Sequence, residues 1–333
     1  MQLSLEFQRR LVEDEVSAIT AVVRPILAGV LYALKKEVAK EAGGIATLKL
    51  FMLGRLRRPG DGDVGICFEY AVHDAILEGN ELIVPRIADG LKLCGINGSE
   101  YSSILFGAEK SGALDLVNTA VETLTDESVL LYGSQGRPVK LKRHIKSVAS
   151  AFRRKAVRDQ LPASIAGLWK ADLFSGCKDS DRWVGSTLKI NRRKLEGAAG
   201  LRLGIVPSFQ GKSDKVYKDD GKNLVICPLP YDGGFMQVFY QAWEVVVQFL
   251  AADCKVPKEV ALPRPASRQV AQYLADRRDF PVLEVIDALL PLAQPELLET
   301  QQTAVELISS VSTSDTAQTT SAIIAPVPVT LGA

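Results

Sequence analysis

Asp172 and Lys189 are the residues whose types and spacing point most directly to chemistry. Asp172 closes the run Trp169-Lys170-Ala171-Asp172, which reads as a strand, and Lys189 lies in VGSTLKIN on the next one. The GCKDSDR segment between them is rich in turn residues, so the two strands read as a hairpin with both side chains at neighbouring strand ends. A carboxylate in that place is a hard oxygen ligand for Mg²⁺ or Mn²⁺. A lysine beside it can orient a water and meet the negative charge that develops on a phosphoryl oxygen. Glu69, on a helix expected over residues 65–77, is the third candidate and a second metal ligand. Together these parts would support metal-dependent hydrolysis of a phosphodiester.

Other reactive side chains nearby read as structural. His73 follows Glu69 by four residues on the same helical face, and reads as a hydrogen-bonded packing residue before it reads as a ligand. Trp169 and Trp183 flank the hairpin; they could stack on bases, but strand tryptophans read first as core. Cys67 and Cys177 read as small packing residues. Ser186 and Thr187 have no histidine base placed beside them by sequence. GIVPSFQGKS (204–213) ends like a phosphate-binding loop, but Val206 stands where glycine is required and the following DKVYKDDGKN is turn-like. It reads as a polar loop between strands.

The order of helix-borne Glu69 in FEYAV, strand-borne Asp172 in KAD, hairpin, and Lys189 in STLK resembles the PD-(D/E)XK, or restriction-endonuclease-like, nuclease superfamily. The resemblance covers residues 65–250. It implies Mg²⁺-dependent cleavage of DNA or, less often, RNA, with Glu69, Asp172 and Lys189 as catalytic residues and Asp172 and Glu69 as metal ligands. It also implies two further strands after Lys189 and then a long helix packed on the sheet. The chain departs from the pattern at Thr187, which stands where the family carries its second carboxylate. Glu69 is the first stand-in for that ligand; Asp179, Asp181 and Glu196 are weaker ones. By analogy, the setting would be restriction or anti-phage defence.

The elements that must position these residues can be read from periodicity. Short apolar runs at Leu168–Phe174, Trp183–Asn191, Arg202–Val206 and Leu224–Pro228 predict strands of a central mixed sheet. Helices are predicted at Gly65–Leu77, Phe235–Ala252, Pro265–Arg278 and Val282–Leu292. In the first forty residues apolar side chains recur at three- and four-residue steps, with a break or kink implied at Pro25. Ala46–Leu53 reads as a strand, and residues 80–130 give weak periodicity apart from a strand at Ser128–Tyr132. Lys140–Arg158 reads as helical. The expected fold class is therefore α/β, a central mixed sheet flanked by helices, with helical additions at both ends. The expected organisation is an N-terminal helical region (1–60), a nuclease-like core (61–255) with a helical insertion at about 80–165, C-terminal helices (256–308) and a flexible tail (309–333).

Charge is even overall, with 40 Lys+Arg against 39 Asp+Glu, but not in distribution. Residues 131–230 hold 21 basic and eight acidic side chains. Gly136–Arg158 alone holds nine Lys/Arg and no carboxylate, the footprint of a polyanion-binding patch. Arg143, Lys146, Arg153, Arg154, Lys155, Arg192 and Arg193 are the candidate nucleic-acid contacts, with DNA the expected partner. The bland alternative is a solvated basic face matched by acidic flanks. Five cysteines without knuckle spacing and two histidines exclude a disulfide framework and a histidine-rich metal site. The N-terminus lacks a secretory signal, and the best apolar run, Val245–Ala252, is too short to span a bilayer, so the reading is a soluble cytoplasmic protein with no membrane partner. Two other functions stay open: a degenerate nuclease domain that binds nucleic acid or a partner without cutting, and a helical protein whose C-terminal helices meet a protein partner.

Overall fold

The N-terminal helix runs farther than its proline suggests. The computed structural model describes residues 2–58, 60, 62–106, 123–131, 138–145, 155–161, 171–197, 200–212, 215–231, 234–258 and 261–290. In it α1 (Gln2–Ala33) continues through Pro25 without the break that its proline allows. An interior proline costs about 3 kcal/mol through the lost backbone bond and ring clash. Val22, Val23, Ile26 and Leu27 are buried on either side of it, and each contributes on the order of 1.5–3 kcal/mol. Packing therefore wins. The Asp14–Ala33 stretch of α1 is long and apolar enough by composition to cross a bilayer, a stronger candidate than Val245–Ala252, and 61% of its most apolar window is buried within the fold.

Around α1 pack α4 (Val64–Leu77), α7 (Phe235–Ala251), α8 (Pro265–Ala275) and α9 (Val282–Leu289). The apolar stripes of α8 and α9 are consumed here, against α1. Asp63 caps α4 by accepting the Ile66 N–H at 2.9 Å. Among the described residues the other helices are α2 (Lys36–Glu41), α3 (Leu50–Leu56), α5 (Val84–Leu93) and α6 (Lys155–Asp159). The strand expected at Ala46–Leu53 is instead a 3₁₀ turn, Ile45–Thr47, followed by α3. Leu50 and Leu53 are buried at helical spacing. The first N–H groups of α3 find tertiary acceptors, Leu50 on Phe280 O and Phe51 on Arg278 O, both at 3.0 Å.

The central sheet is mixed. Its strands are β1 (Tyr101–Leu105), β2 (Val129–Leu131), β3 (Pro138–Lys140), β4 (Leu173–Cys177), β5 (Arg182–Leu188), β6 (Arg202–Pro207), β7 (Tyr217–Asp219) and β8 (Leu224–Leu229). They run in the order β1-β4-β5-β6-β8-β7, with β2 on β5 and β3 on β2. β4 and β5 form the antiparallel hairpin read from sequence, while β6 and β8 run parallel to β5. The second edge of β5 is shared: β2 pairs with Arg182–Val184 and β6 with Gly185–Leu188. Strand β1 and helix α5 fall in the stretch whose periodicity is weak. Residues 168–170 of the expected first strand lie outside the described residues.

Alternation along these strands separates two faces. Leu105, Leu173, Val184, Leu188, Leu203, Ile205, Val225 and Cys227 face the large core shared with α1, α4 and α7. Ile104, Phe106, Phe174 and Trp183 face the other way, into a smaller cluster with Leu124, Leu130, Leu141 and Ile145. A third cluster, Leu195, Val206, Leu224 and Ile226, lies farther along that second face. Gly176 shows how close the second face packs. A Cβ built on it would stand 2.4 Å from Arg182 O and 2.6 Å from the Trp183 ring.

Backbone cannot yield to such a contact as a flexible side chain does. Gly176→Ala should cost about 1–3 kcal/mol, read as a lower urea midpoint with an unchanged m-value. An unchanged midpoint would mean that the Trp183 ring does not lie on Gly176.

Candidate functional site

Asp172 sits one residue before β4, opposite the end of β5. It is 6% exposed. Its Oδ2 accepts three hydrogen bonds: from the Leu188 N–H at 2.9 Å, the Thr187 hydroxyl at 3.0 Å and the Lys189 ammonium at 3.2 Å. Its backbone N–H donates to Ser186 O at 2.8 Å, and its carbonyl accepts the Phe106 N–H at 2.9 Å. Its carboxylate thus ties β4 to the end of β5, and its backbone ties both to β1. Lys189 is held in turn by its N–H on Ile205 O at 3.1 Å, and its side chain is 38% exposed against 9% for Asp172.

Glu69 lies on α4, the helix that packs on β1 and β5. Ser186 and Leu188 point toward the large core; Ser186 donates to Ser175 at 2.7 Å inside it. Thr187 and Lys189 alternate to the opposite face. Helix α4 covers the first face, where His73 Nδ1 meets the Ser103 hydroxyl at 2.6 Å on β1. The structure brings together Asp172 and Lys189, and carries Glu69 on the helix that covers the core face of the sheet. Among the described residues no group of three His, Cys, Asp or Glu side chains could hold a metal ion.

Two of the three weaker stand-ins for a second carboxylate, Asp179 and Asp181, have structural tasks. Asp179 and Asp181 lie in the β4–β5 turn, at the far end of the hairpin from Asp172. Asp179 accepts from the Cys177 thiol, from Ser99 N–H at 2.8 Å and from Ser99 hydroxyl at 3.1 Å, and these bonds hold its carboxyl down at about 2. Asp181 accepts from Ser128 Oγ at 2.6 Å, from the Thr125 hydroxyl and from Trp183 Nε1 at 3.2 Å, and thereby pins the turn to β2. Glu196 is exposed, beyond the 3₁₀ turn Arg192–Lys194. Mg²⁺ is bound through one or two carboxylates with several waters. Here one carboxylate oxygen is engaged by three donors, and a hydroxyl takes the second ligand's place. The Lys189 ammonium already meets the charge of Asp172, which lowers this carboxylate's attraction for a divalent cation.

The other sequence candidates settle by burial. Trp183 is fully buried, and Trp169 lies outside the described residues. Cys67 is buried, with its thiol toward Ile26 O and Gly62 O, and burial pushes its pKa up; burial also raises Cys177. Residues 208–212 form a loop leading toward β7 with no helix, as the polar-loop reading requires.

Of the basic candidates, Arg143 is exposed in a helical turn at 141–145, and Arg193 is exposed beside half-buried Arg192. Lys146, Arg153 and Arg154 lie outside the described residues, and Lys155 begins α6. Lys140 and Lys142 pair with Glu127 and Asp126, so part of the patch is matched by local acids. Arg202 was not singled out by sequence. Register sets it opposite Gly185, on the Thr187 face, and it is 7% exposed. Its signal was an arginine opening the apolar run RLGIVP. The chain matches no family model, no curated protein and no solved structure.

Removing the Asp172 carboxylate leaves buried donors without an acceptor, each costing about 1–3 kcal/mol. Asp172→Ala should therefore lower stability by roughly 2–4 kcal/mol in chemical denaturation, with Asp172→Asn recovering part. Lys189→Ala should cost less, because water screens its partly exposed ammonium. Asp172→Ala as stable as the parent would show that the carboxylate organises nothing.

Burial lowers the His73 pKa to about 4 from 6.5. The unfolded chain then takes the proton first as pH falls. Its contribution is complete above about pH 6.5 and is lost toward pH 4, in total on the order of 3 kcal/mol. Asp74 on the same helix is raised by burial to about 6 and works in the opposite sense, so the parent must be compared with a variant. Between pH 7 and 4 the parent should lose about 3 kcal/mol more than His73→Gln. Parallel urea-denaturation profiles would contradict a buried neutral imidazole.

Proposed function

We propose that this chain is a nucleic-acid-binding protein on a restriction-endonuclease-like sheet whose hydrolytic site is degenerate. The observation that carries the reading is the Asp172 oxygen held by Thr187, Leu188 and Lys189, where a cleaving site would offer two carboxylates to a metal. The order of elements supports the finer fold assignment: a helix with Glu69, a hairpin bearing Asp172 and Lys189, parallel β6 and β8, then the long α7.

Binding follows from the basic excess. Lysines and arginines on phosphates release condensed counterions, giving affinity that falls with salt and ignores sequence. Arg143, Lys146, Arg153, Arg154, Lys155, Arg192 and Arg193 are the proposed contacts, and DNA the proposed partner. Any protein partner of the C-terminal helices would meet Phe280 and Leu290, which stay exposed. Five free, buried cysteines suit a reducing compartment, in keeping with a cytoplasmic setting, and defence against foreign DNA remains the setting by analogy.

The cleaving reading, with Mg²⁺ or Mn²⁺ on Asp172 and Glu69, is favoured by the Asp172–Lys189 contact alone. Two measurements divide the readings. The protein should bind labelled DNA with a steep salt dependence, unchanged by EDTA, and leave plasmid and single-stranded DNA intact with either metal. Reversing charge at Arg153, Arg154 and Lys155 should weaken binding to all sequences alike and flatten the salt slope. Metal-dependent cutting that Asp172→Ala or Lys189→Ala abolishes would establish the nuclease instead.

A further inference from the structure

We infer that the exposed rings of Phe209 and Tyr217, with Arg192 and Lys212, form a stacking platform for single-stranded nucleic acid. The inference rests on the nucleic-acid reading above and names the kind of strand bound. Most large apolar side chains here are buried, yet Phe209 is 56% exposed and Tyr217 40%. The Arg192 guanidinium lies 5.6 Å from the centroid of each ring, and donates to the Tyr217 hydroxyl at 2.8 Å. Lys212 Nζ lies 5.9 Å from the Phe209 ring. The guanidinium thereby fixes two rings that packing leaves in solvent.

Location joins this cluster to the Asp172 strand ends. Thr187 pairs with Gly204, Gly204 with Ile226, and Ile226 with Tyr217. One row across the sheet therefore carries Thr187 and Tyr217 on the same face. Four strand positions separate them by three spacings of about 4.8 Å, a span of about 14 Å. Arg192 follows Lys189 by three residues at the end of β5, and Phe209 follows β6 at the same sheet end. Leu195 covers the middle of that row, on Gly204 and Ile226, so a strand would lie over the exposed Phe209 and Tyr217 rings at its edge, meeting them with its bases and Arg192 and Lys212 with its phosphates. Every base has a face to stack, whereas duplex bases are already stacked on each other, so such a platform selects unpaired strands.

The test uses the full chain with a fluorescent oligothymidylate, an oligouridylate and a blunt duplex of equal length. The parent should bind a single strand more tightly than the duplex. Phe209→Ala and Tyr217→Ala should each weaken single-strand binding by about tenfold, leave the salt slope unchanged and leave duplex binding untouched. Phe209→Trp should retain affinity. Both rings are exposed, so the variants should keep the parent's melting temperature. The two single-strand arms tell DNA from RNA, and preference for either supports the platform. If the parent binds nucleic acid but the alanine variants bind single strands as well as it does, or weaken duplex equally, the platform is wrong and the broader reading survives. If the parent binds none of the three probes, both fall.

Discussion

Everything at the candidate site depends on the alternation of β5. Ser186 and Leu188 point into the core beneath α4, so Thr187 and Lys189 must point away from it. A shift of one residue would exchange the two sets, burying an ammonium in the largest apolar cluster and exposing Leu188. Pairing on both edges of β5, by β4 on one side and by β2 and β6 on the other, holds the register against that shift. Asp172 adds a polar lock, because its carboxylate accepts both from the Leu188 backbone and from side chains on the second face.

The same alternation explains why a buried carboxylate and its lysine are tolerated. A buried charge is costly unless paired and hydrogen-bonded. Asp172 meets both conditions, with an ammonium, a hydroxyl and an amide on one oxygen. The arrangement that satisfies the carboxylate also engages one of its two oxygens. Its geometry suits a structural organiser at the mouth of the sheet.

The large core ties distant parts of the chain to this sheet. Helix α1 packs on α4 and α7 and also on α8 and α9, bringing the first and last described helices together. The contact is reinforced by backbone: Val282 N–H reaches Leu48 O at 2.8 Å, and α3 begins on carbonyls from residues 278 and 280. His73 on α4 is consequently half-buried against β1, and its partial loss of water lowers the imidazole pKa.

The hairpin, the strands after it and α7 were legible in the residues because their signals are local. Apolar runs bounded by turn residues mark β5, β6 and β8, and an uninterrupted amphipathic period marks α7. Proximity of Asp172 to Lys189 followed from the hairpin itself. Glu69 was different: its place relative to Asp172 depends on which face of the sheet α4 covers, and helical periodicity does not contain that choice. Ala46–Leu53 was misread for a related reason, since α3 draws its first acceptors from a segment more than two hundred residues away. The helix runs on past Pro25 because the local penalty is outweighed by burial against four other helices. Local order follows from neighbours along the chain; which face meets which, and what a buried carboxylate binds, is decided by contacts between residues that the chain keeps far apart.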